Sequence, residues 1–297
     1  MILIIGSSNT DMVINSTHLP APGETIIGSA FFMNPGGKGA NQAVAAARLG
    51  GPVTLICKTG NDIFGKQAAE NFKNEGINIS YMVEDTLNPS GVALITVDDS
   101  GENTIVVASG ANGTLSRTDI SPFVKVISNA SILLMQLEIP VDTVQYVAEA
   151  AKSKNVKVIL NPAPACNLPD GLLKNLSIIT PNEKEAEMLT GIQVINIDSA
   201  KDAAKALAAK GVKTVIITLG AKGALIYDGN TFEHVKAIEV KAVDTTAAGD
   251  IFNGALAVAL YEGRSLIEAT EFACKAAAVS VTRKGAQSSA PFRKELL

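Results

Sequence analysis

Short apolar runs alternate with amphipathic stretches along most of the chain. "MILIIG" is a continuous apolar run closed by Gly6, which predicts a buried strand. Residues 41–50, "NQAVAAARLG", are alanine-rich and end in glycine, which predicts a helix with a C-terminal glycine cap. "VTLICKTG" reads as a second buried strand, and "DIFGKQAAENFKNEG" as an amphipathic helix ending at Gly76. From Ala130 the alternation resumes. "SILLMQL", "KVILNPAP", "LSIITP" and "KTVIITLG" read as strands, and "VDTVQYVAEAAKSKN", "NEKEAEMLTG" and "SAKDAAKALAAKG" as helices. That order predicts an α/β fold: a doubly wound, mainly parallel sheet with helices on both faces.

Two segments have another texture. Residues 10–33, containing "HLPAPGET", hold turn residues and short β-prone runs with no helical period. "SGVALITVDDSGENTIVVASG" has two β-rich runs around Asp98-Asp99-Ser100-Gly101, a hairpin signal. These segments are expected to join as a small sheet outside the main body. No repeat, linker or low-complexity tract divides the chain, so residues 1–297 are expected to form one domain.

Composition narrows the function. The chain has 47% hydrophobic and 18% charged residues and a net charge of −4, with Lys and Arg scattered. This argues against electrostatic binding to nucleic acid. Cys57, Cys166 and Cys274 are far apart, with no C-x-x-C and no histidine at ligand spacing, so unpaired thiols in a reducing compartment are expected. No apolar run is long enough to span a bilayer, and the opening "MILIIGSSNTD" lacks a cationic segment, so a cytoplasmic protein without membrane attachment is expected.

In a doubly wound sheet ligands gather beyond the carboxyl ends of the strands. The polar and glycine-rich strand ends are 6–11, 136–138, 161–164, 180–185, 218–223 and 244–250. "VDTTAAGDIFNGAL" sets Asp244 and Asp250 around small residues where a helical pattern begins. A helix starting near Ala247–Gly249 would offer free N–H groups to an anion, with Asp250 in its first turn as a base. An ordinary acidic helix start explains the same stretch, and on it alone both readings stand. "NPGGKGANQAVAAARLG" places Gly36, Gly37 and Gly39 with Lys38 and Asn41 before a helix. It is neither a Walker loop nor a dinucleotide fingerprint, and it favours a polar-ligand site over a plain turn. In "TPNEKEAEMLTG", Asn182 and Glu185 lie three apart, on one helix face. They could hold metal-bound water or phosphate; alone, a solvated acidic helix start explains them better.

Together these motifs resemble the ribokinase family of carbohydrate kinases nearly end to end. "GGKGANQA" and "DTTAAGDIFNGAL" match its two signatures, and "NPAP", "TPNEKEAEMLTG", "TLGAKGA" and "VTRKGAQSS" match further motifs in the expected order. The family commonly has glycine where Ala247 stands; one methyl is expected to do no damage. The resemblance implies a ribokinase-like fold whose small sheet, from segments at about 10–34 and 89–110, is a lid over a sugar. It implies ATP-dependent phosphorylation of D-ribose at O5. The same chemistry on 2-deoxyribose, another sugar or a nucleoside remains open, as does a non-catalytic sugar-binding protein. The last would be expected to lose Asp250, Gly249 or Asn182, and all are present. A nicotinamide-dependent dehydrogenase would need a glycine fingerprint that "IIGSSNTD" lacks.

By resemblance, Asn9, Asp11, Gly37, Lys38, Asn41 and Glu138 would bind sugar hydroxyls. Asp250 would be the base, with Ala247, Ala248 and Gly249 as the anion hole. ATP would lie along Thr218, Gly220 and Gly223, with Asn182 near its phosphates and adenine near Thr246 and Cys274. Glu185 would hold Mg²⁺ through water. A K⁺ ion would lie at Asp244, Thr246, Ser280, Arg283, Gly285 and Ser289, mostly on carbonyls. Pairing of exposed lids predicts a homodimer.

Overall fold

The computed structural model describes residues 1–296. The chain begins β1 (Ile2–Ile5), β2 (Asn9–Asn15), β3 (Ala30–Gly36), α1 (Lys38–Arg48), β4 (Val53–Ile56), β5 (Lys58–Gly60), α2 (Ile63–Asn74) and β6 (Val83–Asp85). It continues with β7 (Gly91–Val97), β8 (Asn103–Ala108), α3 (Arg117–Ile120), α4 (Val124–Ser128), β9 (Ile132–Met135), α5 (Val141–Lys152), β10 (Lys157–Leu160) and α6 (Asp170–Leu173). The last third holds β11 (Ile178–Ile179), α7 (Glu183–Thr190), α8 (Ile197–Ala209), β12 (Thr214–Thr218), β13 (Ala224–Tyr227), β14 (Phe232–Val235), α9 (Ala248–Tyr261) and α10 (Leu266–Ser280).

The main sheet has eight strands in the order β14-β13-β12-β11-β10-β9-β1-β4. All neighbours are parallel except β12–β13 and β13–β14. The continuous apolar runs are explained by burial on both faces. Along β1, Ile2 and Ile4 point into the core built by α1, α9 and α10, while Leu3 and Ile5 point into the core built with α5 and α8. Strand order reverses at β1, with β4 on one side and β9 on the other. That switch point opens the crevice in which such sheets bind ligands.

The two atypical segments do pair. They form a four-stranded sheet, β3-β2-β7-β8, in which β2 and β7 are parallel and the outer pairs antiparallel. Among the described residues, no helix is long and apolar enough to cross a membrane.

Two expectations need correction. Helix α1 starts at Lys38, three residues before Asn41, because Gly37 turns the chain with φ 88° and Gly39 continues as helix. "VTLICKTG" is not one strand. It breaks at buried Cys57, and β5 leaves the main sheet to pair with β6. The β13–β14 hairpin and α10 lie outside the elements read from the pattern.

Candidate active site

Helices α1 and α9 approach closely enough to bring their polar residues together. A Cβ on Gly254 would lie 2.8 Å from both Ala45 Cβ and the Gln42 carbonyl oxygen, so only glycine permits the approach. One turn earlier on α9, Asp250 faces α1. Asn41 Nδ2 donates to its Oδ2 at 3.0 Å, and Gln42 Nε2 donates to its Oδ1 at 2.9 Å. Asp250 is 5% exposed. Burial raises its pKa; Lys38 and the two amides oppose this without cancelling it. Asn41 Oδ1 is buried without a hydrogen-bond partner among the described residues, an acceptor beside the carboxylate that suits a ligand hydroxyl.

A second group forms where β1 runs into β2. Glu138 Oε2 accepts from Ser7 Oγ at 2.6 Å and from the Lys38 N–H at 2.9 Å, and the Lys38 ammonium lies 4.0 Å from its Oε1. Asp11 is pushed up to about 6 by burial and by Glu138 and Asp250, against the pull of Lys38. Burial works against the Lys38 charge, yet Asp250, Glu138, Glu185 and Asp11 outweigh it and raise its pKa. Asn9 Oδ1 accepts from Asn112 Nδ2 at 2.7 Å, and no hydrogen bond among the described residues uses the Asn9 amide hydrogens, which stay available as donors. A floor with donors at Asn9 and Lys38 and acceptors at Asn41, Asp11, Glu138 and Asp250 suits a small polyhydroxylated ligand.

The start of α9 is open. Ala247 caps it in the left-handed region with φ 59°. The N–H groups of Ala247, Gly249 and Asp250 have no backbone acceptor among the described residues, and no atom lies within 4 Å of a Cβ built on Gly249. Ala248 differs from its expected role: its N–H donates to the Thr245 carbonyl at 3.2 Å. The methyl of Ala247 also has a cost unforeseen in sequence, since a non-glycine residue in this region loses roughly 1–2 kcal/mol.

Asn182 and Glu185 do not share a helix face. Asn182 is the extended N-cap of α7 and Glu185 its third residue, joined as a capping box with both bonds at 2.8 Å. Burial raises the Glu185 pKa, only partly offset by the Asn182 N–H. Its Oε2 takes that bond, leaving Oε1 to meet a water or cation. Thr218 ends β12 beside this cap, with its N–H on the Pro181 carbonyl at 2.9 Å. Gly220 and Gly223 turn the chain after it at φ 54° and 94°. Cys274 lies in the core on α10, and burial, then Glu271, pushes its thiol up to about 11.

Asp244 joins the remaining residues. Its Oδ1 accepts from the Thr246 N–H and its Oδ2 from the Gly285 N–H, both at 2.8 Å. These bonds outweigh burial and lower its pKa. The Arg283 side chain pairs with Glu295, so only its carbonyl is left for a cation. Ser280 and Ser289 are buried, with hydroxyls on the Ala277 and Ala286 carbonyls, both at 2.8 Å. The set offers carboxylate, hydroxyl and carbonyl oxygens, the donors a hard cation takes.

Five polar residues of this region received no role from sequence: Gln42 and Asn112, and Ser7, Gln136 and Asn161, which were visible only within polar strand ends. Neither histidine joins the cluster: His18 pairs with Glu24, and His234 bonds the Lys222 carbonyl. A cavity of about 190 Å³ beside the base of the small sheet, touching Asn9, Gly36, Gln67 and Asn71, holds no carboxylate.

Comparison with known proteins is consistent throughout. The model of the pfkB family of carbohydrate kinases matches residues 1–293. A ribokinase of Haemophilus influenzae is 48% identical over 99% of this chain and 96% of its own length. A deoxyribokinase of Salmonella typhi is 39% identical over 98% of this chain and 95% of its own. The structure of Arabidopsis thaliana ribokinase complexed with ribose and ATP superposes with a TM-score of 0.93 at 35% identity, covering 99% of this chain and 96% of that one. A match that leaves almost no residue outside it, in sequence and in fold, makes this chain a member of the pfkB family of carbohydrate kinases.

Proposed function

We propose that the protein transfers the γ-phosphoryl group of ATP to O5 of D-ribose, with Asp250 as the base. The observation that carries this reading is the juxtaposition at the start of α9. A buried carboxylate held by two amides sits beside N–H groups with no backbone acceptor. Asp250 accepts the proton of the attacking hydroxyl. The α9 N-terminus, through Ala247 and Gly249, stabilises charge on the transferring group. Ala248 joins them if its bond to Thr245 opens. A positioned base contributes roughly 10²–10⁴-fold, and positioning and charge stabilisation supply the rest.

Asn9, Asp11, Gly37, Lys38, Asn41 and Glu138 hold the sugar hydroxyls in this reading, under the small sheet as a lid. ATP runs along Thr218–Gly223 past Asn182, with adenine near Thr246 and Cys274. Glu185 supports Mg²⁺ through water. Mg²⁺ ions of such sites keep several waters and bind one or two carboxylates together with substrate phosphates, and Glu185 is the carboxylate offered here. K⁺ sits on the oxygens that Asp244 gathers from 244–246 and 280–289.

A homodimer through the lid is part of the proposal. The strand register places Met12, Ile14, Phe31, Met33, Leu94 and Val106 on one face, opposite to that of Asp11. Five of these six are exposed large apolar residues, a patch that a second copy would cover. An ATP-using enzyme with three free thiols fits the cytoplasm.

The acceptor is tested by a rate panel. Ribose should exceed 2-deoxyribose, fructose and adenosine by at least tenfold in kcat/KM. The deoxyribokinase likeness makes 2-deoxyribose the second reading, and a higher kcat/KM for it would replace ribose as the substrate.

A further inference from the structure

We infer that Gln42 is a positioning residue for Asp250, and that Gln136 and Asn161 set its orientation. The inference rests on Asp250 being the base, as proposed above. Gln42 is fully buried on α1. Its Nε2 donates to Asp250 Oδ1 at 2.9 Å and to Asn161 Oδ1 at 3.0 Å, and its Oε1 accepts from Gln136 Nε2. Both Nε2 hydrogens and the Oε1 of Gln42 are thus engaged, while Gln136 Oε1 is buried with no partner among the described residues. Turning the amide over would set its carbonyl against two acceptor oxygens and its NH₂ against a donor.

The other amide on the base is held differently. Asn41 touches Asp250 through Nδ2, while its Oδ1 has no partner among the described residues. Asn41 is therefore free to adapt to a ligand, whereas Gln42 is fixed from three sides. Gln136 follows β9 and Asn161 follows β10, so two strand ends of the main sheet dictate where Gln42 points. Gln42 passes that geometry to the carboxylate.

The arrangement has a chemical consequence. A base must be ionised to take a proton. Asp250 shares its surroundings with the carboxylates of Asp11 on β2, Glu138 after β9 and Glu185 on α7, and with one cation, Lys38 on α1. Amide donors favour the ionised form, and Gln42 is the donor that cannot turn away.

The test uses the full chain with Gln42→Leu and Gln136→Leu. The measurements are kcat against pH at saturating ribose and ATP, ribose Kd by calorimetry, and thermal midpoint. For Gln42→Leu the acid limb of kcat should move up by about one pH unit and kcat at neutral pH should fall roughly tenfold or more. Ribose Kd should stay within about threefold. Gln136→Leu keeps the direct contact but removes one of the three holds on the amide, so its limb should move the same way by less. Asp11 titrates in every variant, so the displacement between profiles is the readout. Unmoved acid limbs with only a lowered midpoint would overturn the inference; should Gln42→Leu fail to fold, Gln136→Leu decides alone. Asp250→Asn in parallel separates the layers. Turnover near the parent's there removes the base itself, whereas an inactive Asp250→Asn with unmoved limbs removes only the role of Gln42.

Discussion

Replacing Asp11 by Asn should make the sugar-free protein more stable, by an amount that grows with pH. Burial, then Glu138 and Asp250, holds the Asp11 carboxyl at about 6, against an ordinary 3.8. A raised carboxylate pKa means the fold binds a proton that the unfolded chain releases. The destabilisation is therefore fully present above the folded value, near pH 6, and fades as pH falls through the window down to 3.8. A displacement of this size corresponds to about 3 kcal/mol at pH 8 and about half that at pH 5. Partial access of water to Asp11 makes both figures upper values. The assay is urea unfolding of parent and Asp11→Asn at the two pH values without ligand. Asn should raise stability more at pH 8 than at pH 5, and ribose affinity should fall in the same variant. Equal effects at both pH values, or a less stable Asn variant at pH 8, would refute the reasoning. The claim behind it is that the site keeps a costly carboxylate for its ligand.

Other outcomes follow from the same geometry. Ribose KM of the parent should rise as pH falls below about 6, as Asp11 takes up its proton; a flat KM between pH 5 and 8 would remove Asp11 from sugar binding. Gly91→Ala would set a Cβ 2.2 Å from Asn9 Oδ1 and 2.3 Å from Asn112 Nδ2, so ribose KM should rise several-fold with kcat little changed. An unaltered KM would show that Asn9 needs no such holding. K⁺ should activate more than Na⁺ in the parent, and Asp244→Ala should abolish that preference by releasing the Thr246 and Gly285 N–H groups. Sedimentation should give a dimer that Phe31→Asp with Leu94→Asp converts to monomer; a monomeric parent at working concentration would end the lid-pairing proposal.

The sheet was legible because its strands are buried on both faces and leave unbroken apolar runs such as Ile2–Ile5. The small sheet was legible from its lack of helical period and from the turn at Asp98–Gly101. The start of α1 was hidden because glycine is a poor helix former, yet Gly39 is helical there. Asp250 and Asn41 stood out within short motifs. Gln42, Gln136 and Asn161 did not, because their value lies in contacts made across 94 to 208 residues of sequence. Buried amides carry no local pattern; only the closeness of α1 and α9 gives them a role. Ala247 shows the reverse limit. Sequence reveals the added methyl, but only the backbone reveals the φ of 59° that makes it costly.

Asp250→Asn, assayed for ribose phosphorylation with calorimetry of ribose binding on the same sample, tests the central claim most directly. The account predicts a kcat lower by roughly 10²–10⁴-fold with ribose Kd within a few-fold of the parent. Turnover within about fivefold of the parent, in a variant that binds ribose normally, would contradict it.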